Sequence, residues 1–276
     1  MPRATVQSYY GSRESRWGYS RLLKGRRHFG FYPAGESVSV LEAQLLMEDV
    51  LGSRLALPAG SEVLDAGCGQ GLVAIRLADR FGYRIVGVDL LATLIDDARA
   101  NAAEHRLARQ MRFITADYAD LPLASQSLDG VYTMESLVHA GDYRAALDEF
   151  RRVLRPGGRL VLAEYTMPAW DDMSPKEARV GRQIVDGAAL SSLPSFRTGS
   201  MDSILRDRGF VDVSVEDVSE AITPMLRWLA RIGAVPYLFA RVFGFQRKAV
   251  NAMAGVEIYR NRHLWRYVIV AARRPS

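Results

Sequence analysis

The chain has 276 residues, 49% hydrophobic and 24% charged, enough for one large domain with an appended cap and tight for two independent domains. Its formal charge of +5 comes from arginine, since only Lys24, Lys176 and Lys248 are lysines, and the basic residues are scattered rather than drawn into a stripe; no nucleic-acid partner is expected, and an anionic ligand or membrane surface stays open. A single cysteine, Cys68, excludes an internal disulfide framework and a cysteine-based zinc cluster, no metal is expected, and with no apolar leader or spanning run the expected compartment is the cytoplasm, with peripheral membrane contact open.

In chain order, residues 1–37 read as an aromatic arm covering the active site, and residues 38–276 as the main domain. "SVSVLEAQLLMEDVLGSRL" reads as a helix ending near Gly52 or shortly after, "SEVLDAGCG" as a buried strand running into a glycine loop, and "LVAIRLADRFG" as a helix. "RIVGVDL", "MRFITADY" and "LDGVYTM" read as the next three strands, with the helix "ATLIDDARANAAEHRL" between the first two. "DYRAALDEFRRVLRPGG" reads as a helix with Asp142 as N-cap and Pro156-Gly157-Gly158 as terminator, followed by the strand "RLVLAEYT". A short helix, "MDSILRDRGF", and the strands "VDVSVEDV" and "LWRYVIVAARR" complete an α/β fold: a Rossmann-like, mostly parallel seven-stranded sheet with helices on both faces. Lid or acceptor insertions are expected at about 167–198 and 220–262.

"LDAGCGQG" supplies Asp65, Gly67, Gly69 and Gly71 between a strand and a helix, where a ligand can approach the main chain. Asp89 ends the second strand, placed to take ribose hydroxyls, and Asp117 ends the third. The loop lacks the dinucleotide spacing, and an acid beside a pyrophosphate is costly. A ribose-bearing cation fits better, with S-adenosylmethionine the obvious case.

"VLDAGCGQG", "VGVDL", "ITADYADLPLASQSLDGVYTMESLVHA" and "RVLRPGGRLVLAEYT" together resemble, in order and spacing, the motifs of class I S-adenosylmethionine-dependent methyltransferases. The resemblance implies S-adenosyl-L-methionine as cofactor and S-adenosyl-L-homocysteine as product. It places Asp65, Gly67, Cys68, Gly69 and Gly71 at the methionine portion, Asp89 at the ribose, Leu90 on adenine, Asp117 and Tyr118 beside the adenine ring, and Met134 and Glu135 at the methionine end. "VYTMESLVHA", "LAEYT" and "WGYSRLLKGRRHFGFYPAG" resemble segments of sterol C-methyltransferases and their small-molecule relatives.

That subgroup implies carbon methylation of an alkene-bearing terpenoid, prenyl diphosphate or sterol-like compound. Methylation at oxygen or nitrogen of a polyketide or other natural product stays open, as does a non-catalytic cofactor-binding module. Glu135, His139, Glu164 and His28 are the candidate catalytic residues, Glu135 and His139 sharing one face if the chain turns helical after Met134. Glu135 serves either as a base, as a partner of the cofactor ammonium or as a cap for the next turn. Tyr10, Trp17, Phe31, Tyr32, Arg26, Arg27 and Tyr165 are the candidate acceptor contacts, in an arm that also carries Tyr9, Tyr19 and Phe29. "KGRR" is either a solvated face or a phosphate site. The segment "MLRWLARIGAVPYLFARVFGF" either caps the acceptor pocket or also rests on a membrane.

Overall fold

The first strands are continuous apolar runs, and such runs demand cover on both faces. In β1 (Glu62–Ala66) and β2 (Arg84–Asp89) four consecutive residues are buried. A computed structural model describes residues 3–11, 22–244 and 250–276. With β3 (Met111–Thr115), β4 (Leu128–Met134), β5 (Leu154–Thr166), β6 (Val211–Asp217) and β7 (Arg266–Arg273) these strands form one seven-stranded sheet in the order β3-β2-β1-β4-β5-β7-β6. Only β7 runs against its neighbours β5 and β6. Strand order reverses between β1 and β4, which opens a crevice beyond their carboxyl ends.

The sheet separates two apolar layers. Met47, Leu51, Leu77 and Ile95 belong to one, from α2 (Val40–Leu55), α3 (Leu72–Phe81) and α4 (Ala92–Glu104). Leu147, Phe150, Phe196 and Phe210 belong to the other, built around α5 (Tyr143–Val153). α2 runs through Gly52 because that glycine is a contact point: a Cβ there would meet the Phe81 ring at 2.2 Å. Asp142 caps α5 as expected, accepting from the N–H groups of Arg144 and Ala145. Pro156-Gly157-Gly158 does not terminate it. Leu154 is already extended and opens β5, so the Pro-Gly-Gly run lies inside the strand, where the pairing with β4 shifts register.

The two insertions are helical. After β5, Ser174 and Glu177 form a reciprocal capping box with Pro175 in the first turn, starting α6 (Pro175–Gly187). α7 (Met201–Asp207) precedes β6. Between β6 and β7 stand the long α8 (Ser219–Val242) and α9 (Val250–Arg260), packed on each other: a Cβ on Gly233 would lie 3.0 Å from the Ala252 carbonyl. α1 (Arg3–Gly11) belongs to the arm. Trp17 and Tyr19 lie outside the described residues. No helix among the described residues is long and apolar enough to cross a membrane.

Candidate active site

The crevice at the end of β1 and β4 holds a narrow groove of about 100 Å³. Its floor is the glycine loop: the N–H groups of Gly67 and Cys68 both donate to the Val88 carbonyl, at 2.8 and 3.0 Å. Asp89 braces the loop from β2, accepting from Gly69 N at 2.9 Å and Leu91 N at 3.0 Å. Gly67 (φ 91°) and Gly69 (φ 53°) line the groove. A Cβ on Gly69 would meet nothing within 4 Å, so the space over the loop is free for a ligand. Gly71 stands apart from the lining. It starts α3 and packs on Ala98 and Phe113.

Asp65 is 2% exposed, and its Oδ2 has no hydrogen-bond partner. Burial pushes its pKa up to about 7, with the neighbouring Tyr132 hydroxyl pulling the other way. A buried carboxyl oxygen left without a donor at the wall of a groove suits a cation. Cys68, Leu90, Tyr118 and Met134 complete the wall, the Tyr118 hydroxyl donating to the Ser136 carbonyl at 2.8 Å. Asp117 lies outside the lining and accepts from Ala119 N. This set fits an adenosyl sulfonium amino acid: an acid for the ammonium, an acid at the second strand for the ribose, apolar contacts for the base.

The segment after β4 does not continue as a helix, so Glu135 and His139 do not share a helical face. Glu135 adopts left-handed φ of 54°, and a single 3-10 turn covers Leu137–His139. Glu164, fully buried on β5, dictates this geometry. Its carboxylate accepts from Thr133 Oγ1 at 2.7 Å, Leu137 N at 2.8 Å, Ser136 N at 3.2 Å and Val138 N at 3.4 Å. Burial pushes its pKa up to about 7 while these four donors pull it down. Glu164 lines neither the groove nor the larger cavity beside it.

Glu135 accepts from Phe29 N at 2.6 Å and from the Tyr165 hydroxyl, and burial pushes its pKa up to about 8. Phe29, Tyr165 and Tyr267 meet edge to face around it. His139 Nδ1 lies 2.9 Å from the Ala189 carbonyl. A carbonyl can only accept, so Nδ1 carries the proton and the Nε2 lone pair receives the Tyr10 hydroxyl at 2.8 Å. Burial lowers the His139 pKa to about 4, leaving a neutral ring. In His28 both nitrogens face acceptors, the Phe29 carbonyl at 2.9 Å and Glu48 at 3.0 Å. Burial lowers its pKa, but the carboxylates of Glu48 and Glu135 and the Phe29 carbonyl together outweigh this and the net shift is upward. Neither ring nitrogen of His28 is free to act as a base in this arrangement.

Beside the groove opens an apolar cavity of about 1010 Å³. Five residues line both spaces and so mark their junction: Tyr10, Arg27 and His28 from the arm, Glu135 and His139 from the turn after β4. Of the acceptor contacts expected from the sequence, Tyr10, Arg27 and Tyr165 line the cavity. Arg26 lines the groove instead and turns inward to Glu48 at 2.7 Å, while the Arg27 guanidinium lies 4.9 Å over the Tyr10 ring. "KGRR" is therefore no simple solvated face. Phe31 and Tyr32 line neither space; their N–H groups tie the arm to the Ala43 and Ala221 carbonyls.

Most of the far wall lies within the 220–262 insertion, in which the sequence had suggested no individual acceptor contact. α8 contributes Ile222, Met225, Leu226, Leu229, Gly233 and Pro236, and β7 contributes Tyr267. The α8 stripe has a helical period that was available as a signal. Tyr267 had none, because only the antiparallel pairing with Tyr165 brings it there. Tyr9 and Asn251, joined at 2.7 Å, close the cavity on the arm side. Among the described residues no group of three or more His, Cys, Asp or Glu side chains is arranged to hold a metal ion.

A family model described as a methyltransferase domain matches residues 63–158. An S-adenosyl-L-methionine-dependent Diels-Alderase from Talaromyces variabilis is 36% identical over 277 residues, covering 98% of this chain and 94% of its own length. An O-methyltransferase from Aspergillus sclerotiorum is 32% identical over 213 residues, covering 76% of this chain and 78% of its own. The crystal structure of geranyl diphosphate C-methyltransferase from Streptomyces coelicolor A3(2) superposes with a TM-score of 0.73 at 21% identity, covering 99% of this chain and 98% of that one, a likeness of fold alone.

Proposed function

This chain belongs to the class I S-adenosylmethionine-dependent methyltransferase family of natural-product pathways, and from that premise we propose that it methylates a hydroxyl oxygen of a large lipophilic natural product. The observation that carries this reading is the Tyr10–His139 pair at the junction of groove and cavity. Bound S-adenosylmethionine supplies an electrophilic methyl group on sulfur. Asp65 would hold its ammonium group and Asp89 its ribose.

Oxygen attack on that methyl forms the O–C bond, breaks the C–S bond and leaves the acceptor oxygen still carrying its proton. Such an oxonium is a far stronger acid than an imidazolium, even in a site that lowers the His139 pKa to about 4. The proton passes to Nε2, directly or through the Tyr10 hydroxyl, and Nδ1 stays anchored on Ala189. The apolar cavity walls align the acceptor and exclude water.

A second reading, methylation at the carbon of an alkene-bearing terpenoid, prenyl diphosphate or sterol-like acceptor, draws support from the rings of Phe29, Tyr165 and Tyr267 around Glu135. Those faces would stabilise a carbocation, with Glu135 poised to take the proton. A diphosphate would meet Arg27, Arg262 and Arg266 at the cavity wall.

The test is turnover with methyl-labelled cofactor and a panel of hydroxylated polyketides, phenols, sterols and prenyl diphosphates. A labelled methyl ether is the expected product, and His139→Ala should lower kcat by roughly a hundredfold with little change in S-adenosylhomocysteine affinity. Label on carbon would select the second reading. A rearranged product of unchanged mass would overturn methyl transfer in favour of a cofactor-dependent cyclisation of the kind named for the Talaromyces relative.

A further inference from the structure

The outer end of α8 carries an apolar surface that the site does not use. Val235, Leu238 and Val242 are 76%, 62% and 69% exposed, and Phe239 and Phe243, whose rings meet at a tilt with centroids 4.4 Å apart, are 56% and 63% exposed. Positions 235, 238, 239 and 242 follow the spacing of one helical face. The opposite face is sealed against the molecule at Gly233 and Ala240. Five large apolar side chains, each more than half exposed, cluster on this one helix end, and such clustering, unlike scattered exposure, marks a contact surface.

Charge selects what covers it. From Ala221 to Gly244 the chain contains Arg227, Arg231 and Arg241 and no acidic residue, and all three arginines are exposed. A second copy packed through this face would set like charges against each other. An anionic lipid surface instead offers an apolar layer for the exposed stripe and counter-charge for the arginines. The face is also continuous with the cavity, because Ile232 is both 37% exposed and part of the cavity wall, next to Gly233 and Pro236.

We propose that the end of α8, through Val235, Leu238, Phe239, Val242 and Phe243, docks the enzyme on an anionic membrane surface and sets the cavity wall against it. A lipophilic acceptor would then enter from the lipid phase. Docking needs no acceptor, so the experiment separates this proposal from the choice of methylated atom.

The full-length protein is sedimented with vesicles of phosphatidylcholine alone or of phosphatidylcholine with phosphatidylglycerol. It should pellet with the anionic vesicles at low salt and lose binding as salt rises. Val235→Asp combined with Leu238→Asp should cut the bound fraction roughly tenfold or more, with S-adenosylhomocysteine affinity unchanged to show that the fold is intact. Protein left in the supernatant with both vesicle types would overturn the proposal. So would a dimer in solution that the same double substitution splits, since a second copy would then own the face.

Discussion

Gly67 and Gly69 are equivalent in the sequence and unlike in their surroundings. A Cβ on Gly67 would lie 2.5 Å from Ser136 Cβ, whereas one on Gly69 would point into open space. Gly69→Ala costs about 1–2 kcal/mol of left-handed strain and puts a methyl where the ligand approaches. Gly67→Ala adds an overpacking penalty of about 1–3 kcal/mol. Thermal melts and calorimetry should therefore separate them, Gly69→Ala losing cofactor affinity at a small cost in Tm and Gly67→Ala losing Tm as well.

Asp65 makes a pH prediction. With its folded pKa at about 7, the free protein holds a proton there below neutrality, and pairing with a ligand ammonium requires that proton to leave. S-adenosylhomocysteine affinity should rise up to about tenfold per pH unit toward pH 7 and then level; Asp65→Asn should bind weakly with no such slope. The same group makes the free protein less stable as pH rises from its ordinary value, 3.8, to about 7, because the native state keeps a proton the unfolded chain has released. His139 runs the other way. Its lowered pKa contributes stability above 6.5 that is lost as pH falls toward 4.

The turn after β4 exists because one carboxylate collects its donors. Glu164→Gln keeps one carbonyl acceptor but replaces the other carboxylate oxygen with an NH2 group that cannot accept, leaving at least one of the buried N–H groups of residues 136–138 short of a partner at about 1–3 kcal/mol. Tm should fall by several degrees, and kcat should fall with it, since Leu137–His139 carries the imidazole, while cofactor affinity changes little. An unchanged kcat would remove Glu164 from any positioning role. The strands, the glycine loop and the cap at Asp142 were legible in the sequence because each depends on residues a few positions apart. The left-handed Glu135 was not, since its conformation depends on Glu164 and Phe29, 29 and 106 positions away. Nor was the Phe29–Tyr165–Tyr267 cage, assembled from the arm, β5 and β7.

Across the whole molecule, α1 belongs to the site rather than to the core, whereas Phe29 and Phe31 later in the arm pack against one apolar layer. Val6, Tyr10, Arg26, Arg27 and His28 wall the groove, yet the buried residues of the two apolar layers begin at Met47 and Leu64. Removing residues 1–21 should then leave the ligand-free Tm within a few degrees of the full chain. Binding should respond differently. At a ligand concentration of about a hundred times Kd, the full chain gains roughly 2.7 kcal/mol, which raises Tm by about 5–10 °C. The shortened chain has lost Val6 and Tyr10 from the groove and the Tyr10 partner of His139, so the same concentration should raise its Tm by clearly less. Equal shifts in both chains would mean that the arm only lies near the groove, and the junction assigned to Tyr10 and His139 would have to be rebuilt from Arg27, Glu135 and His139 alone.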